Sequence, residues 1–282
     1  MPKFLSMLFL GGSSNIKKRL KTYFEKMPLE GQRVIDIPAG SGYISKVMLD
    51  RGAEVAAYDL FPEFFQQKDL RCQYADLSKI LPIQSHSADY ILCQEGIEHL
   101  ENQLFALKEF NRILRPGGRL WVTTPNISHL RAKLSHLFVE SELFKRLPEN
   151  ELSALWFTGN GEQYYGHIFL IGIQRLRVLA KIAGFRLAKV HPVKASTSSL
   201  LFGIALYPLI LLVNVLSYYL TYRSMLESTK LEKSEIKSVL NEMIYLNLHP
   251  TILCGKHLFI EFIKEKEAGT PLKVSKSKTS IV

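Results

Sequence analysis

An apolar run that ends in an acid and passes into a small-residue turn occupies residues 34–43, Val-Ile-Asp-Ile-Pro-Ala-Gly-Ser-Gly-Tyr. The pattern predicts a strand, a tight loop and the N-terminus of a helix. Gly40 and Gly42 would let the backbone approach a ligand closely, and the helix would offer free N–H groups to it. Ordinary strand–helix turns share this pattern. The segments that follow along the chain therefore decide whether residues 34–43 bind a nucleotide-type cofactor.

Further apolar runs end in acidic or polar residues. Asp59 closes the second run 23 residues after Asp36, near the spacing at which nucleotide-binding folds place a ribose-binding carboxylate. Later short runs end at Asp76 and at Gln94-Glu95, and helical patterns alternate with them. This alternation predicts an α/β fold with a parallel sheet and helices on both faces. Since ligands bind beyond the carboxyl ends of such strands, we expect these side chains to share one crevice.

Three motifs together resemble the class I S-adenosylmethionine-dependent methyltransferase family. They are the glycine loop at 34–42, the acid-ending strand at 55–60, and Phe-Asn-Arg-Ile-Leu-Arg-Pro-Gly-Gly-Arg-Leu-Trp-Val-Thr-Thr-Pro at 110–125. The resemblance covers about residues 30–190 and a final strand near 256–263. It implies a Rossmann-like, seven-stranded sheet with helices on both faces, in which the last strand inserts antiparallel between the fifth and sixth. Pro38 stands where the family usually has its first glycine.

The resemblance implies S-adenosylmethionine as cofactor and assigns roles to the residues at the strand ends. Gly40 and Gly42 would face the methionine part, with Asp36 in the same motif. Asp59, followed by Leu60, would hold the ribose. Asp76 and Leu77 would meet the adenine, and Gln94 would close the pocket.

An acidic-histidine cluster follows the fourth predicted strand. Glu95, Glu98 and His99 are spaced i, i+3 and i+4, which would place them on one face of a helical turn. Two carboxylates and an imidazole suit a divalent metal ion such as Mg²⁺, with His167 completing the site. Ubiquinone-pathway O-methyltransferases, which the chain resembles, and small-RNA 2′-O-methyltransferases carry a similar E-x-x-E-H before a later histidine. Alternatively, acids simply favour the first turn of a helix. A general-base role for His99 or His167 is a further possibility, with Glu95 as another catalytic candidate.

A long apolar insert separates the last two predicted strands. No residue from Ala195 to Tyr222 is charged, and about 20 apolar residues are enough to span a bilayer. Both ends must return to neighbouring strands, however, and Pro208 lies near the middle, where a helix would kink or break. We therefore predict a re-entrant, monotopic hairpin that contacts a membrane surface through 199–220, followed by an amphipathic helix at the interface. The alternative is a buried helix, packed on the domain or in a homodimer.

The insert and the charge distribution give a five-part domain organisation. A basic helical segment (1–32) precedes the methyltransferase core (33–194), whose lid spans about 126–166. The apolar and amphipathic insert (195–253), the final strand (254–265) and a disordered basic tail (266–282) follow. Residues 1–33 carry seven Lys and Arg against two acids, and 264–282 carry five against two. These basic ends favour an anionic surface, or are simply solvated.

Two further patterns bear on location. Three distant cysteines indicate a reducing compartment. The short apolar run near the N-terminus does not fit a cleaved signal peptide. We therefore expect a cytoplasmic, membrane-associated protein.

Three functions fit these patterns. The first is O-methylation of a lipid-like or membrane-presented small molecule or a lipid-linked glycan, for which Trp156, Tyr164 and Tyr165 of the lid would form an aromatic cover. The second is 2′-O-methylation of RNA, which is disfavoured because no basic-aromatic stripe runs through the core. The third is a non-catalytic, membrane-associated scaffold.

Overall fold

The computed structural model describes residues 14–143, 147–157, 163–229 and 231–270. Nine strands are found in these residues: β1 (Arg33–Asp36), β2 (Glu54–Asp59), β3 (Cys72–Tyr74), β4 (Ala88–Gln94), β5 (Leu114–Pro125), β6 (Leu155–Phe157), β7 (Gln163–Tyr165), β8 (Phe185–Val190) and β9 (His257–Lys264). Seven of them form one sheet in the order β3-β2-β1-β4-β5-β9-β8, and β6 and β7 form a separate hairpin. Strand β9 is antiparallel to both of its neighbours. This topology confirms the predicted Rossmann-like sheet and the position of its last strand.

Helices occupy the connections between the strands. They are α1 (Ser14–Phe24), α2 (Tyr43–Leu49), α3 (Gln103–Ile113), α4 (Leu130–Val139), α5 (Glu151–Ala154), α6 (Ile173–Ile182), α7 (Thr197–Ser228), α8 (Lys233–Leu248) and α9 (Pro250–Cys254). Short 3₁₀ turns lie at Pro62–Phe64, Ile97–His99 and His167–Phe169.

The sheet has a core on each face because successive strand residues point to opposite sides. Ile35, Ile91 and Leu120 belong to one apolar cluster, which includes residues of α3 and α6. Their chain neighbours Val34, Leu92 and Trp121 belong to the other, to which α1 contributes Ile16, Leu20 and Phe24. The N-terminal helix is therefore part of the core packing.

The predicted break at Pro208 is wrong, because α7 is one helix of 32 residues with this proline inside it. A proline removes one backbone hydrogen bond and crowds one turn. Phe202 before it and Ile210 after it both pack against the apolar cluster of Leu130 and Leu253, so both flanks are held in place. The tertiary contacts therefore maintain the helix through the proline.

The hairpin of the insert is made instead by α7 and α8. The side-chain amide of Asn247 donates to Asn214 Oδ1 at 2.8 Å, which joins the two helices. Arg177 of α6 pairs with Glu242 of α8 at 3.2 Å. Helix α7 is long and apolar enough to cross a membrane, and only 6% of its most apolar 18-residue stretch is buried. The alternative of a helix buried on its own domain is therefore wrong.

The start of the predicted disordered tail is ordered. The Asn111 side-chain amide donates to the carbonyl of Lys266 at 2.9 Å, and its Oδ1 accepts from the backbone N–H of Ala268 at 3.1 Å. A buried polar group on α3 thus holds residues 266–268. The rest of the predicted tail, 271–282, lies outside the described residues, as do residues 1–13 of the basic segment.

Candidate active site

A cavity of about 680 Å³ opens at the carboxyl ends of the first five strands. The antiparallel β9 adds its first residue to the same edge, because His257 pairs with Pro125 at the end of β5. The cavity contains most of the residues predicted from the sequence, namely Gly40, Asp59, Leu60, Asp76, Leu77, Gln94, Glu95, His99 and His167. One crevice therefore joins the predicted cofactor residues to the predicted catalytic residues.

Asp59 connects the glycine loop to the end of β2. Its Oδ2 accepts from the backbone N–H of Gly40 at 2.7 Å, and its Oδ1 accepts from that of Phe61 at 2.8 Å. Burial raises the pKa of this carboxyl group, although the two backbone N–H groups oppose that rise. Asp59 thus shapes the loop while it lines the cavity.

Glycine is favoured at the two positions of the loop for different structural reasons. Gly42 has φ +73°, and a Cβ on it would lie 2.4 Å from the ring of Phe65, so a side chain there would have to displace that ring. Gly40 has φ +54° and no atom within 4 Å of its Cβ position. The backbone at Gly40 is therefore accessible to a ligand in the cavity, which fits the approach of a cofactor. Gly42 does not line the cavity; it precedes the first residue of α2.

Asp36 lies beneath the cavity and does not line it. It is only 2% exposed, and the hydroxyl of Ser45 on α2 donates to its Oδ2 at 2.5 Å. Burial raises the pKa of Asp36 to about 7. Its observed contact is thus with α2 rather than with the cavity.

Pro38 replaces a family glycine without blocking the crevice. The ring lines the cavity and packs against Gly96, where an added Cβ would lie 2.5 Å from Pro38 Cδ. The absence of a side chain at Gly96 therefore leaves room for the ring of Pro38.

The acidic-histidine cluster differs from the predicted helical turn. The turn Ile97–His99 is 3₁₀, and Glu95 precedes it with φ +49°, so the three residues do not share one helix face. The ligand atoms of Glu98, His99 and His167 lie within 4.8 Å of one another, and Glu95 is not part of this group. The Glu95 carboxylate instead lies 3.5 Å from His257 Nε2. Three of the four predicted metal ligands are thus brought together.

Two members of this cluster, Glu98 and His99, have defined hydrogen-bond partners. Glu98 is fully buried; Thr124 Oγ1 donates to its Oε2 at 3.0 Å, while its Oε1 has no hydrogen-bond partner among the described residues. His99 Nδ1 lies 2.8 Å from the carbonyl oxygen of Tyr165, so this nitrogen is the protonated one. His99 Nε2 is thereby left as the proton-accepting nitrogen.

Burial dominates the electrostatics of the cluster. It raises the pKa of Glu95 to about 7, and burial together with the Glu95 charge raises the pKa of Glu98 well above its usual range. Burial, and to a smaller extent electrostatic repulsion by His167, lower the pKa of His99 to about 4. At neutral pH, His99 is therefore uncharged and Glu95 is close to its own titration midpoint.

His257 is a site residue that the sequence patterns did not indicate. It is the first residue of β9, and burial lowers its pKa to about 4. The signal that was available is topological, because the start of an antiparallel strand lies at the same edge as the carboxyl ends of its parallel neighbours. Lys17 of α1 also lines the cavity and was missed.

The β6–β7 hairpin covers one side of the cavity with aromatic rings. Trp156, Tyr164 and Tyr165 line it, and the rings of Trp156 and Tyr164 meet edge to face at 5.3 Å. Tyr164 also contacts Phe61 of the β2 loop at 5.0 Å. The hairpin thus lies against Phe61 beside the end of β2.

A family model described as a methyltransferase domain matches residues 13–190, which is more than half of the chain. The chain belongs to the class I S-adenosylmethionine-dependent methyltransferase family. This membership confirms the predicted enzyme class and S-adenosylmethionine as its cofactor.

Curated relatives of this methyltransferase include ubiquinone biosynthesis O-methyltransferases. The protein from Xylella fastidiosa (strain 9a5c) is 34% identical over 119 residues, which cover 38% of this chain and 48% of the relative. The protein from Xanthomonas oryzae pv. oryzae (strain PXO99A) is 32% identical over 119 residues, which cover 38% of this chain and 49% of the relative. The chain thus spans about half the length of the curated relatives that it matches.

Solved structures support the fold. A SAM-dependent methyltransferase from Archaeoglobus fulgidus aligns with a TM-score of 0.54 and 16% identity, covering 94% of this chain and 100% of that one. A Listeria monocytogenes protein described as a putative S-adenosylmethionine dependent methyltransferase aligns with a TM-score of 0.51 and 11% identity, covering 90% of this chain and 100% of that one.

Proposed function

We propose that this methyltransferase acts on an oxygen of a lipid-like acceptor presented at a membrane surface. The observation that supports this most directly is that the glycine loop and Asp59 share one cavity with an aromatic lid and a group of titratable side chains. The similarity to ubiquinone biosynthesis O-methyltransferases favours oxygen as the methylated atom. The exposed apolar face of α7 favours an acceptor held at a lipid surface.

The residues that fit the cofactor are those around the glycine loop. Gly40 offers an open backbone, Asp59 a carboxylate, and Asp76, Leu77 and Gln94 the neighbouring wall. When bound, S-adenosylmethionine supplies a methyl group attached to a positively charged sulfur. The protein's contribution is then to align an acceptor oxygen and to remove its proton.

Glu95 is the side chain best matched to accept that proton. A general base works best when its pKa lies near the working pH, and burial brings the pKa of Glu95 to about 7. Its Oε1 has no hydrogen-bond partner among the described residues, while His257 lies 3.5 Å from its Oε2. The uncharged His99 presents Nε2 as an alternative acceptor for the same proton, because a hydroxyl has only one to donate, and His167 packs against its ring at 4.8 Å.

The donor set of Glu98, His99 and His167 also fits a divalent metal ion. Glu98 Oε1 is buried and lacks a partner among the described residues, and two imidazoles with one carboxylate suit transition ions better than Mg²⁺. A bound ion would lower the pKa of an acceptor hydroxyl.

Offering methyl-labelled S-adenosylmethionine to a membrane lipid extract and to total RNA tests the acceptor class. We expect label in the lipid fraction, and labelling slower by about 100-fold or more when Glu95→Gln replaces the wild-type protein. Label in RNA instead would favour the 2′-O-methylation of RNA. Calorimetry with S-adenosylmethionine is the second measurement, and absence of binding would favour a scaffold.

A further inference from the structure

The outward face of α7 is a continuous apolar surface. Among the described residues, only a narrow stripe of the helix, which includes Ser199, Phe202, Ile210 and Asn214, faces the rest of the protein. The large apolar side chains on the other sides are between two fifths and four fifths exposed: Leu200, Leu201, Ile204, Leu209, Leu211, Leu212, Val213, Val215, Leu216 and Leu220. Keeping this much apolar surface in water is unfavourable, which indicates that something covers it.

The stripe that faces inward is docked along the length of the helix. In the first half, Ser199 Oγ lies 3.0 Å from Nδ1 of His129, which immediately precedes α4, and Phe202 and Ile210 pack on the cluster of Leu130 and Leu253. In the second half, Asn214 is bonded to Asn247, and Lys237 of α8 lies over the ring of Tyr222 at 5.9 Å. The helix therefore has protein on one side from end to end.

This docking is incompatible with a span. Helix α8 runs beside the second half of α7, and it exposes Lys233, Lys237 and Asn241. Charged side chains are costly inside a bilayer unless they are paired or face a polar cavity. A crossing by α7 would carry the polar surface of α8 into the hydrocarbon. The length and composition of α7 alone would permit a span, so the tertiary contacts decide against it.

We propose that α7 lies in the plane of an anionic lipid surface, half-immersed along its whole length of about 48 Å. The charge pattern fits this occupant better than a second copy of the chain. Lys194 and Arg223 stand at the two ends of the uncharged stretch, and the formal charge of the protein is +10. Anionic headgroups attract such cations, whereas two like-charged copies repel each other.

The same geometry places the cavity near the lipid. Residues Ala195 and Gly255 form a bridge just before α7, and the Asn126 side-chain amide donates to the carbonyl of Gly255 at 2.7 Å. Asn126 directly follows Pro125, which lines the cavity. The first turn of α7 is therefore tied to the edge of the sheet that holds the active site. This inference rests on the proposed function, since it specifies the surface from which the acceptor would be taken.

Depth measurement with brominated lipids tests the in-plane arrangement. Tryptophan is introduced at Leu201, Leu212 or Leu220, one at a time, in a Trp156→Phe background, where the fully buried Trp121 gives a constant signal. The probe is a vesicle of phosphatidylcholine and phosphatidylglycerol brominated at one of several chain depths. We expect all three positions to be quenched most strongly by the shallowest bromines. A depth that changes steadily along the helix and passes through the bilayer centre would overturn the proposal.

Two controls make the result specific. Ile80→Trp is matched to the exposed positions, since Ile80 is 77% exposed but follows β3 at the opposite edge of the sheet, and it should not be quenched. The double variant Ile204→Glu/Leu212→Glu should lower the vesicle-bound partition about tenfold or more, with an unchanged circular dichroism spectrum. Absence of quenching together with a dimer in sedimentation would show that a second copy covers α7. Because none of these readouts needs methyl transfer, label found in RNA would refute the proposed acceptor while leaving the membrane result intact.

Discussion

Asp36 carries a carboxyl group whose ionisation the fold opposes, and replacing it with asparagine should change how stability depends on pH. Burial raises its pKa from 3.8 to about 7, while the hydroxyl of Ser45 opposes the rise. The folded protein therefore holds a proton at Asp36 between these two pH values, and the unfolded chain does not. By linkage, the stability that this proton contributes is fully present below pH 3.8 and is lost as the pH rises towards 7.

The size of the effect follows from the two pKa values. One pKa unit corresponds to about 1.4 kcal/mol, so the shift of Asp36 costs the wild-type protein about 4 kcal/mol of unfolding free energy above pH 7. The side-chain amide of the variant Asp36→Asn has no charge to bury. The variant should therefore gain on the wild type by about 1.4 kcal/mol per pH unit and level off near pH 7.

Urea unfolding of both proteins, followed by circular dichroism at half-unit steps from pH 4.5 to 8, measures this difference. Other buried acids and histidines also titrate in this range, but they are common to both proteins and cancel in the comparison. Ser45→Ala is the matched control, because removing the donated hydrogen bond should raise the pKa of Asp36 further. A difference between wild type and Asp36→Asn that does not change with pH would refute the assignment of a neutral Asp36.

Three further predictions concern the site. Glu95→Gln should lower kcat about 100-fold or more while the affinity for S-adenosylmethionine stays unchanged. The rate of the wild-type enzyme should rise with pH through about 7, as Glu95 loses its proton. A variant that keeps the wild-type rate would exclude Glu95 as the base. The Gly42→Ala variant should unfold at a lower urea concentration than Gly31→Ala. Both glycines have a left-handed φ, but only a Cβ at Gly42 would meet Phe65. Equal unfolding midpoints for the two variants would show that the loop adapts. Chelation and dialysis should lower activity if Glu98 and its histidine neighbours hold an ion, and readdition of the ion should restore it, whereas unchanged activity with metal-free protein in elemental analysis would exclude the metal.

Much of the cofactor side was predictable because it depends on local chain geometry. A strand that ends in an acid before a glycine turn places that turn at the carboxyl edge of a parallel sheet, so Gly40, Asp59 and Asp76 could be assigned to one crevice from their spacing alone. The last strand was predictable because the resemblance implied its antiparallel insertion.

The catalytic side depended on contacts that spacing does not encode. Glu95 adopts a left-handed conformation and lies next to His257, which is more than 150 residues away in the chain. The spacing i, i+3, i+4 therefore predicted a shared helix face that the backbone does not form.

The sequence by itself determined the order of the strands and helices, the glycine loop and an apolar segment of membrane-spanning length, because each follows from residues close together in the chain. Only the tertiary structure decided that this segment is one continuous helix docked along one side. Contacts with α4, α8 and α9 keep α7 continuous through Pro208 and place protein along one side of it. A proline affects one turn, whereas packing acts along the whole helix. The tertiary fold, and not the proline in the sequence, therefore determines that α7 is continuous.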